Sequence, residues 1–478
     1  VNSDHPHALL LAGQWLETDD VYDVVNPYNG TPVGRVCRAS PDHLERAIQS
    51  AVQAAPATRA LPAYRRADIL HTVAQALESH AEPMARTIAQ EAAKPINQAR
   101  AEVQRSIFTI AQAAQEATRI PGETLTLDAN PTAEGRHGFV RRFPIGPIAA
   151  ITPFNFPLNL VAHKLAPALA AGCPVVLKPA SQTPLSALHL ARMITDAGYP
   201  PGGLSVLPMP GALAAPLVED ACIKLLTFTG SPAVGWAMKQ RAGTKRVMLE
   251  LGGNAGVIVH EDADLAYAAG RIVTGAFSYA GQSCISVQRV LVHHQVYKKF
   301  MSLFIPAVQA LKVGDPLDET SDLSVVISPA EGERVAAWLD EARAAGAQVV
   351  TGGQVQDNTI APTVLTNAAH HLRVNCQEIF APVVTVEPYT SMTEALDTMN
   401  DSDYGLQAGV FTNTLSLAWQ AYEALEVGGV MINDVPTWRV DHMPYGGVKQ
   451  SGLGREGVRY AIVEMTEPRL LVFNMREP

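Results

Sequence analysis

The sequence predicts an α/β protein: two doubly wound, Rossmann-type α/β domains with a small β hairpin set apart from them. Three features carry this reading. From Gly146 onward, short apolar runs alternate with amphipathic stretches of helical period, the pattern of a parallel sheet covered by helices. The alternation starts afresh after the Gly252-Gly253 pair. The chain, at 478 residues, is also too long for one core, since cores stop growing at ~250–300 residues.

Taken in order, residues 8–36 read as short strands and turns, with Asn26-Pro27-Tyr28-Asn29-Gly30 as a tight turn. Ser40-Pro41 is an N-cap followed by proline at the first helical position, and an alanine-rich helix runs on to about residue 55. Helices near 62–80, 81–93 and 95–118 follow from apolar residues at i, i+3 and i+4. This helical lead-in is expected to carry little chemistry of its own. Residues 121–142 are turn-rich and then alternate through Gly138-Phe139-Val140-Arg141-Arg142-Phe143, as an exposed hairpin does. It is either a plain surface hairpin or an oligomer contact.

The first α/β series places strands at 147–151, 173–177, 204–207, 223–228 and 247–249, with helices at 158–171 and 184–197. The second places strands at 256–259, 290–292, 348–350, 382–386, 409–411 and 429–432. The Gly252-Gly253 pair is the expected boundary, and ligands favour clefts between such domains. Leu470-Leu471-Val472-Phe473 reads as a terminal strand available to the hairpin of a neighbouring subunit.

Composition narrows the function. Lys and Arg number 36 against 46 Asp and Glu, a formal charge of −10 with no block of like charges. Nucleic-acid binding, which calls for a basic patch, is disfavoured. Five cysteines, none spaced as CxxC, argue against a disulfide framework or a zinc cluster and for a reducing compartment. No metal site is expected. The start lacks a basic n-region and an h-region of signal length, and the long apolar stretch 160–177 is broken by His163, Lys164, Pro167 and Pro174. No membrane span is expected and a cytoplasmic location is.

Chemistry concentrates in 249–285. Glu250 ends the apolar run Val247-Met248-Leu249, and Cys284 follows 34 residues later in Gly281-Gln282-Ser283-Cys284-Ile285. A thiol and a carboxylate base suffice for covalent catalysis at a carbonyl carbon. By itself, though, a lone cysteine is more often a small buried hydrophobe. Phe228-Thr229-Gly230-Ser231 follows a strand and suits a pyrophosphate at a helix N-terminus, or else a plain turn with Ser231 as N-cap. Lys178 ends another strand, in reach of a ribose hydroxyl or phosphate, or simply in solvent. Asn155, in the Ile151-Thr152-Pro153-Phe154-Asn155-Phe156-Pro157 loop, can donate to an oxyanion together with the Cys284 N–H, or cap the next helix.

Seven segments in order resemble the NAD(P)-dependent aldehyde dehydrogenase superfamily. They are Pro153-Phe154-Asn155-Phe156-Pro157, Lys178-Pro179-Ala180, Phe228-Thr229-Gly230-Ser231, Leu249-Glu250-Leu251-Gly252-Gly253 and Gly281-Gln282-Ser283-Cys284. The last two are Gln377-Glu378-Ile379-Phe380-Ala381-Pro382-Val383 and the stretch from Pro444 to Glu456. The resemblance implies a nucleophilic Cys284, an oxyanion held by Asn155, hydride transfer to NAD or NADP, and hydrolysis of a Cys284 thioester by a water that Glu250 activates. Lys164 and Glu456 match positions behind the base, where they would relay its proton. Similarity assigns Ile151, Thr152, Pro153, Phe154, Lys178 and Ser181 to the cofactor, and with them Gly211, Phe228, Gly230, Ser231, Val234 and Leu251. Glu378 and Phe380 fall at the nicotinamide end.

It also implies a division of the chain: 1–121 with 144–252 for NAD(P) binding, 253–450 for the nucleophile, and 122–143 with 464–478 for assembly into a dimer or tetramer. Glu250 favours hydrolysis over CoA acylation and over a crystallin-like structural role. Ser181 stands where NAD-preferring relatives often carry glutamate, so NADP should be tolerated. His163 and Ser278 replace the arginines of succinate-semialdehyde dehydrogenases, which argues against that substrate. Together with Asn159, Ser283, Ile285, Trp438, Arg439 and Tyr445 they suggest a small polar aldehyde of lactaldehyde or glycolaldehyde type. Arg439 and Arg105 are left as either an anion grip or surface ion-pair residues.

Overall fold

A computed structural model describes residues 5–475; the outer ends of the 1–121 and 464–478 ranges lie outside the described residues. Two large sheets dominate. The first has eight strands, in the order Gln14–Leu16, Leu9–Leu11, Leu204–Val206, Val175–Lys178, Ile148–Ile151, Leu225–Thr229, Arg246–Glu250 and Gly452–Leu453. Its five inner strands are parallel, and antiparallel pairs close both edges. Ile148–Ile151 and Val175–Lys178 are buried at every position, which is why they read as continuous apolar runs.

The second sheet has seven strands in the order Gln348–Thr351, Thr363–Thr366, Val383–Tyr389, Arg289–His293, Gly256–Val259, Gln407–Phe411 and Gly429–Ile432. Strand Thr363–Thr366 is missing from the sequence-based expectation. It is a four-residue run whose neighbours carry no helical pattern. Strand Gly452–Leu453 lies beyond residue 450 yet pairs with the end of Arg246–Glu250 in the first sheet.

Two further expectations change. The helix capped by Ser40 runs through Pro56 to Ala60, because Ala54 and Thr58 extend its buried face. The terminal strand, Thr466–Asn474, pairs with Arg136–Pro144 of its own chain, from Thr466 opposite Pro144 to Asn474 opposite Arg136. Helix Val458–Glu464 packs on helix Asn159–Ala171 and delivers residue 466 to that edge. Strand Glu123–Leu125 completes this three-stranded sheet.

Register brings the functional edge together. Ile151 lies opposite Lys178 and Thr229 opposite Glu250, so the carboxyl ends of the first sheet's inner strands line up. The second sheet meets them at its amino ends, just before Gly256 and Arg289. Glycine is required at position 253, where they meet. A Cβ on Gly253 would strike the Cys284 carbonyl oxygen, and one on Gly252 the Glu378 carboxylate.

Candidate active site

One cavity of about 1070 Å³ opens along this junction. Cys284, Glu250, Asn155 and Glu456 all line it. The turn before the cysteine is strained: Tyr279, Ala280 and Gly281 take φ values of 50°, 52° and 71°. The left-handed region costs a non-glycine residue about 1–3 kcal/mol and persists only when the surroundings impose it. Here the buried Gln282 amide does so, donating to Tyr279 O (3.3 Å) and accepting from Ile327 N (2.9 Å). The Tyr279 hydroxyl donates to Ala92 O at 2.8 Å.

Cys284 Sγ lies 3.1 Å from the Tyr445 hydroxyl. Burial pushes its thiol up to about 12, with the Tyr445 hydrogen bond pulling the other way. Asn155 donates one Nδ2 hydrogen to Gln282 O (3.0 Å), which leaves the second free. Glu250 is buried and its Oε2 has no partner among the described residues. Burial, then the neighbouring Glu456, raises its carboxyl well above the usual range. Glu456 behaves oppositely. Burial would raise it, but Lys164, His163 and Arg439 outweigh that and hold it far below the carboxylate range. Lys164 Nζ sits 3.1 Å from Glu456 Oε1 and 3.0 Å from Thr227 Oγ1, behind the cavity wall rather than in it.

A family model described as the aldehyde dehydrogenase family matches residues 15–471. The chain belongs to the aldehyde dehydrogenase family. The 3-sulfolactaldehyde dehydrogenase of Priestia aryabhattai is 44% identical over 470 residues, which cover 98% of each chain. Aldehyde dehydrogenase 21 from Physcomitrella patens, solved with its reaction product succinate, superposes with a TM-score of 0.97 at 44% identity, covering 98% of this chain and 99% of that one. The NADP-dependent glyceraldehyde-3-phosphate dehydrogenase from Bacillus halodurans, complexed with NADP, gives 0.96 at 36% identity, covering 99% and 100%.

Groups along the first sheet's edge fit the dinucleotide that such dehydrogenases use. Lys178 Nζ donates once, to Pro179 O (3.1 Å), leaving two hydrogens, and burial lowers it to about 8. The Thr229 hydroxyl is buried without a partner among the described residues. Ser231 holds the N-cap position of helix Pro232–Arg241, but its side chain makes no cap bond. Glu378 accepts Gly253 N–H at 2.9 Å, and burial raises it to about 7. Phe380, with φ 50°, sets its ring edge-on to Phe154, centroids 6.0 Å apart.

Pro153, Phe154, Gly230, Ser231, Leu251, Glu378 and Phe380 line the cavity. Ile151, Thr152, Lys178, Ser181, Gly211, Phe228 and Val234 do not; Thr152 is tied to Lys178 O by its N–H (3.2 Å) and the Ser181 hydroxyl to Met209 O (3.1 Å).

On the aldehyde side, Asn159, Ser278, Ser283, Ile285, Trp438, Arg439 and Tyr445 line the cavity, but His163 does not. His163 is buried behind it, with Nε2 2.8 Å from Asp441 Oδ1. Asp441 also takes Arg105 Nη2 at 2.7 Å and Nε at 3.1 Å. The helical lead-in reaches the cavity: Lys94, Gln98, Ala101, Glu102 and Arg105 line it, the last four at the spacing that stacks one face of a helix. Buried Glu102 pairs with Lys94, whose ammonium lies 3.7 Å from the Phe156 ring centroid and 4.5 Å from that of Tyr279. The cavity's cations therefore come from outside positions 163 and 278, so the lack of arginines there does not disqualify a charged substrate. Their only sequence signal was a polar residue recurring at helical spacing.

Proposed function

We propose that this chain oxidises a small aldehyde with an anionic distal group to the carboxylic acid, using NAD or NADP. One observation carries the reading: a half-buried thiol, a buried carboxylate with an unbonded oxygen and a half-committed amide share a cavity that Arg105 and Arg271 also line, each anchored by a carboxylate, Asp441 and Asp434. The relatives support it. Sulfolactaldehyde, glyceraldehyde 3-phosphate and succinate, named for those proteins, carry a sulfonate, a phosphate and a carboxylate. Arg105 keeps Nη1 free of hydrogen bonds among the described residues while Asp441 fixes its other side.

The Cys284 thiolate attacks the aldehyde carbon and the carbonyl π pair moves to oxygen. The second Nδ2 hydrogen of Asn155, with the Cys284 N–H, holds that oxyanion. When bound, the nicotinamide supplies the hydride acceptor. Glu250 then removes a proton from a water whose oxygen bonds to the acyl carbon of the Cys284 thioester. The C–S bond breaks, freeing the acid and the thiolate. Glu456, paired with Lys164 at 3.1 Å behind the base, would relay the Glu250 proton. Lys178 and Ser181 would hold the adenosine ribose, Gly230 and Ser231 the pyrophosphate, and Glu378 with Phe380 the nicotinamide end.

In this reading 1–121 with 144–252 bind the cofactor and 253–450 supply the nucleophile. Residues 122–143 and 464–478 join subunits, for which the exposed Leu470, Leu471, Val472 and Phe473 are suited. A cytoplasmic location fits five cysteines that are all free.

NADH and NADPH production from neutral and anionic aldehydes, with and without CoA, tests the proposal on wild type and Cys284→Ala. Anionic aldehydes should turn over without CoA, and the alanine variant should be inactive. A dehydrogenase that survives Cys284→Ala, or one that needs CoA, overturns it.

A further inference from the structure

Cys284 is half-buried, and two carboxylates, Glu378 and Glu250, act against its ionisation while only Arg439 and Tyr445 act for it. A nucleophile in such a place needs something that stabilises sulfur as an anion. The Tyr445 phenol is buried, and the Cys284 sulfur, at 3.1 Å, is its hydrogen-bond partner among the described residues. When the sulfur is a thiol, either group can donate. When it is a thiolate only the phenol can, and a hydrogen bond to a charged acceptor is the stronger of the two. The bond therefore favours the anion.

The phenol is also held and polarised. The Tyr445 backbone is locked against Glu456 by N–H to O bonds of 3.0 and 2.6 Å. The Arg439 guanidinium carbon lies 3.6 Å from the Tyr445 ring centroid, a contact in which a cation draws on the ring's π electrons. Arg439 itself is buried and fixed, with Nη2 3.5 Å from Glu456 Oε2 and 3.3 Å from His163 Nε2, and Nε 3.8 Å from Asp441 Oδ1.

We propose that Tyr445 is a further catalytic residue, its hydroxyl donating to the Cys284 sulfur as thiolate before attack and again as leaving group, with Arg439 a positioning residue that acts through the Tyr445 ring. The proposal rests on Cys284 as the nucleophile. The phenolic proton stays on Tyr445 throughout. The S–C bond forms and later breaks at a sulfur whose charge the same O–H stabilises each time.

The test reads thiol ionisation without turnover: the pH dependence of iodoacetamide alkylation, followed by mass spectrometry on the Cys284 peptide, since Cys222 and Cys376 are also partly exposed. Tyr445→Phe keeps the ring on Arg439 and removes one oxygen. Its alkylation half-point should rise by about one pH unit, a roughly tenfold loss of thiolate at a given pH below it. Replacing Tyr445 by 3-fluorotyrosine, a stronger acid and donor, should lower the half-point. Arg439→Gln should raise it, and the double variant should shift less than the sum of the singles. A half-point that is unmoved or lowered in Tyr445→Phe, or unmoved by the fluorinated residue, overturns the role of Tyr445. Full additivity removes Arg439 from it. Because alkylation needs neither aldehyde nor cofactor, a wrong substrate or a wrong nucleophile shows in the NAD(P)H assay and leaves this readout intact.

Discussion

Buried carboxylates occur in two regions of this molecule, and they are treated in opposite ways. In the helical shell, Glu91 takes Leu185 N–H (2.8 Å) and Ser186 N–H (3.1 Å), closing the start of helix Leu185–Asp196. Glu102 takes Leu158 N–H (3.0 Å) and Asn159 N–H (3.1 Å) at the start of helix Asn159–Ala171, and pairs with Lys94 through its other oxygen. These carboxylates replace missing caps, with their oxygens bonded to orphan N–H groups. On the cavity floor, Glu250 and Glu456 each keep an oxygen without a hydrogen bond among the described residues, that of Glu456 facing only the Arg439 guanidinium at 3.5 Å. An unsatisfied buried oxygen costs roughly 1–3 kcal/mol or more, so its presence at the floor and not in the shell marks where stability is given up for reactivity.

The largest expected effect follows from the floor. Glu250→Gln removes the base, and turnover should fall by about 10²–10⁴-fold, the usual contribution of general base catalysis. Its melting temperature should hold or rise, because an unpaired buried charge leaves with it. The sign depends on pH. The folded carboxyl of Glu250 is raised above its unfolded value, so its ionisation destabilises the wild type as pH climbs through that raised value. The variant's thermal advantage should be absent below the unfolded carboxylate pKa of about 4.3 and grow above it. A glutamine variant that is equally active, or is destabilised at neutral pH, would remove the distinction between floor and shell.

The shell gives the mirror image. Glu102→Ala strands the buried Lys94 ammonium and two helix N–H groups, and should cost roughly 3–5 kcal/mol of unfolding free energy, as losing one member of a buried pair does. Chemical denaturation measures it. The folded fraction should keep its pH profile for turnover, since Glu102 touches neither the Cys284 sulfur nor the Glu250 carboxylate. A shifted acid limb would mean that the shell tunes the chemistry too.

That limb sharpens the contrast. As the proposed base, Glu250 has to be ionised for turnover, so the rate should rise with pH through the raised value, well above the usual carboxylate range. A limb near that ordinary range would show that Glu250 is not the group being titrated.

The floor was legible in the sequence and the shell was not. Glu250 closes an apolar run before two glycines, and Cys284 sits in a short Gly/Gln/Ser loop, but that pattern left a bland alternative open, and the resemblance of the flanking segments singled them out. The strand end Lys178 was legible because buried parallel strands announce where they stop, whereas Thr229 ends a strand expected to stop at 228. Arg105 was read only as an open choice between an anion grip and an ion-pair residue. Its meaning lies in Asp441, 336 residues away, and helical spacing says which face a residue shares but not what meets that face. The left-handed turn at Tyr279 and Ala280 was equally silent, because neither residue type signals positive φ. The terminal strand was read correctly as a strand and assigned to the wrong partner, since pairing depends on where helix Val458–Glu464 delivers it.

The smallest expected effect comes from adding a carboxylate where neither region has one. Ser181 stands just past the end of the first sheet's Lys178 strand, its hydroxyl spent on Met209 O at 3.1 Å. No acidic side chain replaces it in that bond. Ser181→Glu places a negative charge at the edge proposed to meet the adenosine ribose, partly exposed and therefore partly screened. A 2′-phosphate there would be repelled, while a ribose hydroxyl would find an acceptor. The NADP-to-NAD ratio of kcat/KM should fall about tenfold, equivalent to about 1.4 kcal/mol, with stability lowered by about 1–3 kcal/mol because the buried Met209 O loses its donor. Added salt should recover part of the loss, since a screened repulsion weakens with ionic strength. An unchanged ratio would mean that this edge does not meet the ribose, and an equal fall with both cofactors would point to a distorted loop instead of a charge.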